Sequence, residues 1–196
     1  MAMAMAAAGA DTGTDMGTDI GTDLAAAQAI ATFGAGCFWH TEEAFRQQPG
    51  VIRTSVGYMG GHFANPCYLD VLSRITGHAE VAQIHYDPNI ISYETLLHLF
   101  WQCHDPTTLN RQGPDRGEQY RSVIFYHTPE QASKAKLSKA QMDASDTYTN
   151  PIVTQIKPAG DYWLATEDHQ QYLSKKRADK RAEKKAETKI ATKQAQ

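Results

Sequence analysis

Cys37 is the residue of this chain best placed to act as a nucleophile. It lies in Gly36-Cys37-Phe38-Trp39, where a short apolar run, Ile30-Ala31-Thr32-Phe33, turns through Gly34 and Gly36 into a helical pattern. A thiol at such a junction meets unpaired backbone N–H groups and the positive end of a helix dipole, both of which favour its thiolate form. A cysteine can also be packed as a small apolar residue, but the glycines before it, the aromatics after it and the helix start favour chemistry. Two polar clusters could serve that nucleophile. Thr76-Gly77-His78-Ala79-Glu80 leads into an apolar strand, so the Glu80 carboxyl at its edge reads either as a solvated strand-end acid, the commoner case for such a residue taken alone, or as one partly out of water with a raised pKa suited to acid catalysis. Asn110, Gln112, Asp115, Glu118 and Gln119 crowd the stretch 105–119, with Tyr120 directly after it, and Gly113-Pro114 and Gly117 set fixed turns.

The elements that must position these groups alternate along the chain. A strand ends near Phe33, and a helix runs from Phe38 to Gln48 until Pro49-Gly50 breaks it. A strand follows from Val51 to Tyr58, then a loop through Gly60, Gly61 and Asn65-Pro66, then a short helix from Tyr68 to Arg74. Glu80 to Tyr86 alternates as a strand, stopped by Asp87-Pro88. Ser92 caps a helix with Leu96, Leu97 and Phe100 inward. After the polar loop, Arg121 to His127 is a strand. Thr128-Pro129-Glu130-Gln131 supplies an N-cap, a proline at the first helical position and a capping-box glutamine for a helix to about Ala144. Ile152 to Ile156 reads as a last strand. The alternation predicts an α/β or α+β single domain built on one mixed sheet flanked by helices.

Length and composition, 196 residues with 41% hydrophobic and 21% charged, fit one such domain with tails. Residues 13–24 repeat Gly-Thr-Asp with a period of four and are too polar to bury a core, so 1–29 is expected to be a disordered tail. The catalytic domain is then 30–173, and 174–196 is a basic tail rich in Lys, Ala and Glu. From Lys175 onward, nine Lys or Arg stand against three acids, but Asp179, Glu183 and Glu187 recur every four residues, as on a solvated, salt-bridged helix. No aromatic interrupts that run, which argues against nucleic-acid stacking. Three cysteines, at 37, 67 and 103, make neither a disulfide framework nor a zinc motif. Reduced thiols, no membrane span and no sorting signal point to a cytoplasmic protein without a metal.

Taken together, the motifs resemble the methionine sulfoxide reductase A family. They are Gly36-Cys37-Phe38-Trp39 with Glu42, Gly57-Tyr58 with Gly60-Gly61-His62, Asn65-Pro66 followed by Tyr68, and Thr76-Gly77-His78-Ala79-Glu80. His104-Asp105-Pro106-Thr107 to Asn110-Arg111-Gln112-Gly113, Asp115, and Gln119-Tyr120-Arg121-Ser122 complete the set, which spans about 32–173. The resemblance implies reduction of the S epimer of methionine sulfoxide, free or in proteins, as repair after oxidative stress. It implies that Cys37 attacks the sulfoxide sulfur and Glu80 protonates the leaving oxygen. Tyr68 and Tyr120 would hold that oxygen by their hydroxyls, Phe38 and Trp39 would enclose the S-methyl group, and Asp115 would belong to the same network. No bound cofactor is implied, only an external thiol reductant such as thioredoxin, acting on a monomer.

The chain departs from the family pattern in three places. Relatives often carry resolving cysteines near the C-terminus, whereas nothing after Cys103 is cysteine, so a C-terminal disulfide relay is not expected. The Cys37 sulfenic acid would be reduced directly by an external thiol or through Cys67, the candidate resolving residue beside Tyr68. Cys103 follows an apolar helical face and is expected to pack in the core. Arg74 stands where the family usually has glycine, and Asp168 where an aromatic commonly precedes His169. Two rival readings are a cysteine hydrolase, for which no partner histidine can be singled out, and a binding module using the basic helix as a docking arm.

Overall fold

In the computed structural model, which describes residues 28–194, the strand before Cys37 is β1 (Ala29–Ala35) and the helix after it is α1 (Phe38–Phe45). There follow β2 (Val51–Met59), α2 (Tyr68–Leu72), β3 (Ala79–Tyr86) and α3 (Tyr93–Gln102). The long polar loop holds a small hairpin, β4 (Arg111–Gln112) and β5 (Asp115–Arg116), and a 3-10 turn, Glu118–Tyr120. Then come β6 (Ser122–Tyr126), α4 (Pro129–Asp143), β7 (Gln155–Pro158), β8 (Tyr162–Leu164) and α5 (Tyr172–Gln194). The expectation of a disordered tail falls almost wholly on residues outside the described range.

Six strands form one mixed sheet in the order β7-β6-β1-β3-β2-β8, antiparallel except for the parallel β6–β7 pair. Helices α1, α3 and α4 pack against it, and Phe33 on β1 stacks between Phe45 of α1 and Phe100 of α3, with ring centroids 5.3 and 5.1 Å apart. Successive strand residues face opposite sides, so Val81 joins Met59, Val123 and Phe125 in a second apolar cluster while Ala82 and Ile84 join the first. That two-sided cover corrects the expected alternation of β3: all but one of its residues are buried.

Several sequence signals act as expected. The Ser92 hydroxyl accepts from the Thr95 amide at 3.1 Å, and the Thr128 hydroxyl accepts from the Gln131 amide at 3.1 Å. Gln131 does not close a capping box. Its carbonyl accepts from the His127 amide and its NH2 donates to the Ile30 carbonyl, latching the end of β6 to β1. The helix expected to reach Arg74 ends at Leu72, because Arg74 adopts a left-handed conformation, φ 65°. The last-strand expectation, 152–156, is displaced to β7, since the Ile152 and Val153 amides donate to Asp143 and Pro106, and β8 was not foreseen. Side chains 175–188 of α5 are exposed, as a solvated helix requires. Its start is tied to α1 by Arg46 to Ser174 (2.8 Å) and by an Arg177–Glu43 ion pair.

Candidate active site

Cys37 is the N-cap residue of α1 and is half-buried. Gly36 before it has φ +93°, and a Cβ there would fall 2.6 Å from the Gln112 side chain, so only glycine lets the β4–β5 hairpin close over this turn. The first free amide of α1, that of Phe38, donates to Glu80 Oε2 at 3.0 Å. The Trp39 and His40 amides act on the sulfur and pull its pKa down. They do not prevail. Burial, and then the nearby Glu80 and Asp115 charges, push the thiol up to about 12, so the expectation of a resting thiolate is corrected.

Glu80 enters from the start of β3 and is 1% exposed. Burial raises its carboxyl to about 7; the Phe38 amide opposes that shift and the Asp115 charge adds to it. With Oε2 occupied as an acceptor, Oε1 is the oxygen free to carry and deliver a proton. Tyr68 at the first position of α2 and Tyr120 in the 3-10 turn are half-buried. Their phenols are raised first by burial and then by Glu80, Tyr120 to about 12, and both also feel Cys37 and Asp115. Cys37, Glu80, Asp115, Tyr68 and Tyr120 thus form one electrostatic cluster drawn from five elements.

The loops that carry these groups are cross-braced. The Arg121 guanidinium donates to the Glu118 carbonyl (2.9 Å) and to the Gly77 carbonyl (3.1 Å), locking the Tyr120 turn to the turn before Glu80. His78 accepts from the Gly61 amide at Nδ1 and pairs with the Phe63 carbonyl at Nε2, so its proton sits on Nε2. The Gln112 side chain accepts from the Asp105 amide and donates to the Asp105 carbonyl, fixing the hairpin that bears Asp115.

An aromatic wall stands beside the cluster. Phe38 is buried, its ring 5.8 Å from Tyr58 and 5.4 Å from His169. Trp39 is half-buried, stacks on Tyr172 at 3.9 Å and donates its indole N–H to His169 Nδ1 at 3.2 Å. His169 in turn lies 4.5 Å from the Tyr68 ring. The segment supplying His169 is pinned by Gln170, which bonds both backbone groups of Val56, and by buried Glu42, which accepts from Thr54 and from the Gln171 amide. Sequence reasoning gave Tyr58 no role beyond its place in the Gly57-Tyr58 motif, and did not give Tyr172 or the acceptor role of His169; the ring residues at 169 and 172, three positions apart, were the available signal for that pair. Cys67 is exposed at the N-cap of α2, next to Tyr68. Cys103 donates to the Phe100 carbonyl and packs against the core, with burial raising its thiol to about 12.

Among the described residues, no histidine side chain is among the groups that shift the Cys37 thiol, where a cysteine hydrolase would place its base. A thiol beside two phenols and a carboxyl raised to about 7 suits the removal of an oxygen as a protonated leaving group, the task of a thiol-based reductase. Comparison with known proteins gives the family. Residues 29–196 match the family model described as peptide methionine sulfoxide reductase, and the chain belongs to that family. It is 67% identical to peptide methionine sulfoxide reductase MsrA 1 of a Nostoc species over 146 residues, 74% of this chain and 90% of that protein. The reduced form of Mxr1 from Saccharomyces cerevisiae has a TM-score of 0.72 and 35% identity, over 76% of this chain and 85% of that one. Mxr1 in complex with Trx2 has a TM-score of 0.54 and 25% identity, over 76% and 86%. Among the described residues, no helix is long and apolar enough to cross a membrane, and no group of three or more His, Cys, Asp or Glu could hold a metal ion.

Proposed function

We propose that this protein reduces the S epimer of methionine sulfoxide, free or in proteins, to methionine through a Cys37 sulfenic acid. The observation that carries the reading is the Glu80 carboxyl, raised by burial to about 7 so that a large share of it keeps its proton near neutral pH, and bonded to the amide that follows Cys37. The sulfoxide oxygen sits between the Tyr68 and Tyr120 hydroxyls and Glu80, and the methyl group lies against Phe38 and Trp39. As the Cys37 sulfur attacks the sulfoxide sulfur, Glu80 gives its proton to the oxygen, and the new carboxylate accepts the thiol proton. Transfer of the hydroxyl to the cysteine sulfur releases methionine and leaves Cys37 as the sulfenic acid. The substrate sulfur gains two electrons and the cysteine sulfur loses two; Glu80 ends as it began. A thiol kept at about 12 is a weak nucleophile at rest, and the proton exchange with Glu80 activates it only when an oxygen is present to take the first proton. Asp115 holds Glu80 toward its neutral form, since its charge opposes ionisation there.

The cycle closes with an external dithiol, thioredoxin or a related donor, in keeping with the Trx2 complex of Mxr1. Cys67, exposed beside Tyr68, serves as the resolving thiol by forming a disulfide with Cys37 before that donor acts. The catalytic unit is 30–173, acting as a cytoplasmic monomer, with the tails dispensable for turnover of small substrates. The test is dithiothreitol-driven reduction of the separate S and R epimers of a blocked methionine sulfoxide by the intact chain and by Cys37→Ser. Turnover of S alone, abolished in the variant, is the expected result; no turnover by folded protein overturns the reading. Cys67→Ser should keep dithiothreitol activity and lose activity with thioredoxin, and full thioredoxin activity would remove its resolving role.

A further inference from the structure

We propose that Tyr58 is a positioning residue for Glu80, its hydroxyl donating to the carboxylate that forms as the proton is delivered. The inference rests on the reading of Glu80 as the acid. Tyr58 and Glu80 are directly paired across β2 and β3, so their side chains rise from the same face of the sheet. The Tyr58 ring is 1% exposed and lies against Phe38, and its hydroxyl is buried with no hydrogen-bond partner among the described residues. Buried hydroxyls are nearly always bonded, so one left open beside a catalytic centre calls for an acceptor that appears in another state. Glu80 is the charged group that acts most strongly on this phenol, ahead of Tyr68, Cys67 and Asp168. The Tyr93 hydroxyl, also buried and unbonded, makes the contrast: the group acting on it is another phenol, Tyr86, which offers no change of charge.

In its protonated form Glu80 already accepts from the Phe38 amide at Oε2. When the proton leaves Oε1, that oxygen becomes a strong acceptor, and a hydroxyl waiting on the neighbouring strand supplies a charge-assisted bond. The other groups facing Glu80 are the Cys37 thiol from the start of α1, Asp115 from β5, Tyr120 from the 3-10 turn and Tyr68 from α2. Cys37 is the proton source in the return step, Asp115 is itself an acid, and Tyr68 and Tyr120 are engaged with the substrate oxygen. Tyr58 is the donor left for Glu80.

The experiment compares the full chain with Tyr58→Phe and Glu80→Gln in single-turnover formation of methionine between pH 5.5 and 9.5, with thermal unfolding to confirm that each variant is folded. The unmodified protein loses rate as pH rises through the Glu80 titration. Tyr58→Phe removes a donor to the carboxylate, which favours the protonated acid, so the falling limb moves up by about half to one pH unit and the low-pH rate drops about tenfold. A folded Tyr58→Phe protein with an unmoved limb and an unchanged low-pH rate overturns the proposal, provided Glu80→Gln has lost the limb. If Glu80→Gln keeps the limb, the acid assignment itself falls. Should Tyr58→Phe not fold, 3-fluorotyrosine at position 58 is a stronger donor and must move the limb the opposite way; no movement overturns the proposal.

Discussion

Replacing Glu80 by glutamine separates the cost of burying this carboxyl from its use. Glutamine keeps the carbonyl that accepts from the Phe38 amide at 3.0 Å but cannot ionise. In the fold the Glu80 carboxyl stands at about 7 against an ordinary 4.5, and at about 1.4 kcal/mol per tenfold this is a penalty of order 3 kcal/mol on the charged form. The folded chain therefore binds this proton more tightly than the unfolded chain. The unmodified protein loses that stability as pH rises from about 4.5 to about 7, and the full penalty persists above. Glu80→Gln should match it in stability near pH 4 and exceed it by about 3 kcal/mol at pH 8, read by urea unfolding across that range. At pH 7 the same variant should lose about 10²- to 10⁴-fold in methionine formation, the range for a missing general acid. A stability difference that does not change with pH would refute the claim that burial holds Glu80 neutral. So would a variant less stable than its parent at pH 8.

Gly36→Ala places a methyl group 2.6 Å from the Gln112 side chain at a φ of +93°, so urea unfolding should show a loss of about 1–3 kcal/mol, with a fall in activity as the Asp115 hairpin lifts. His169→Phe keeps a ring against Tyr68 but removes the acceptor for the Trp39 indole; KM for the sulfoxide should rise several-fold with a smaller change in kcat, alongside a shift in tryptophan emission. Arg74→Gly relieves a left-handed φ of 65° at the loss of an exposed hydrogen bond to the Arg116 carbonyl, and urea unfolding should show a net gain of about 0.5–1 kcal/mol.

What the sequence made legible was local. A cap reads from Ser92 or Thr128 because the hydroxyl satisfies an amide three residues on. The break before β2 reads from Pro49-Gly50, because neither residue continues a helix, but α1 already ends at Phe45 and not at the expected Gln48. The cysteine at a helix start was correctly placed, and its environment was not. Periodicity locates the N–H groups of Trp39 and His40, but it cannot show that Glu80, 43 positions along, stands beside the same turn. The burial that raises both groups belongs to strand order and loop bracing. The aromatic wall was half legible for the same reason: Phe38 and Trp39 adjoin the nucleophile, while His169 and Tyr172 arrive through Glu42 and Gln170, whose bonds to Gln171 and Val56 exist only after folding. The departure at Arg74 did carry a physical message, since the glycine usual there is the residue that a left-handed position favours.

The same long-range packing explains why a thiol and an acid with such unfavourable resting states belong together. An ionised Glu80 and an ionised Cys37 would repel each other, so each charge raises the other's cost. Below about pH 7 the site holds both protons, and in the proposed mechanism one proton must leave before the other can be accepted. An electrophile that cannot take a proton from Glu80 leaves the carboxyl neutral and the sulfur protonated. In the proposed mechanism a sulfoxide oxygen held by Tyr68 and Tyr120 would take it, and the carboxylate, drawn against Tyr58 and the Phe38 amide, would become the base that frees the sulfur. On that mechanism, selectivity for an oxidised sulfur would follow from the order of proton movements that burial enforces, as well as from the shape of the aromatic wall.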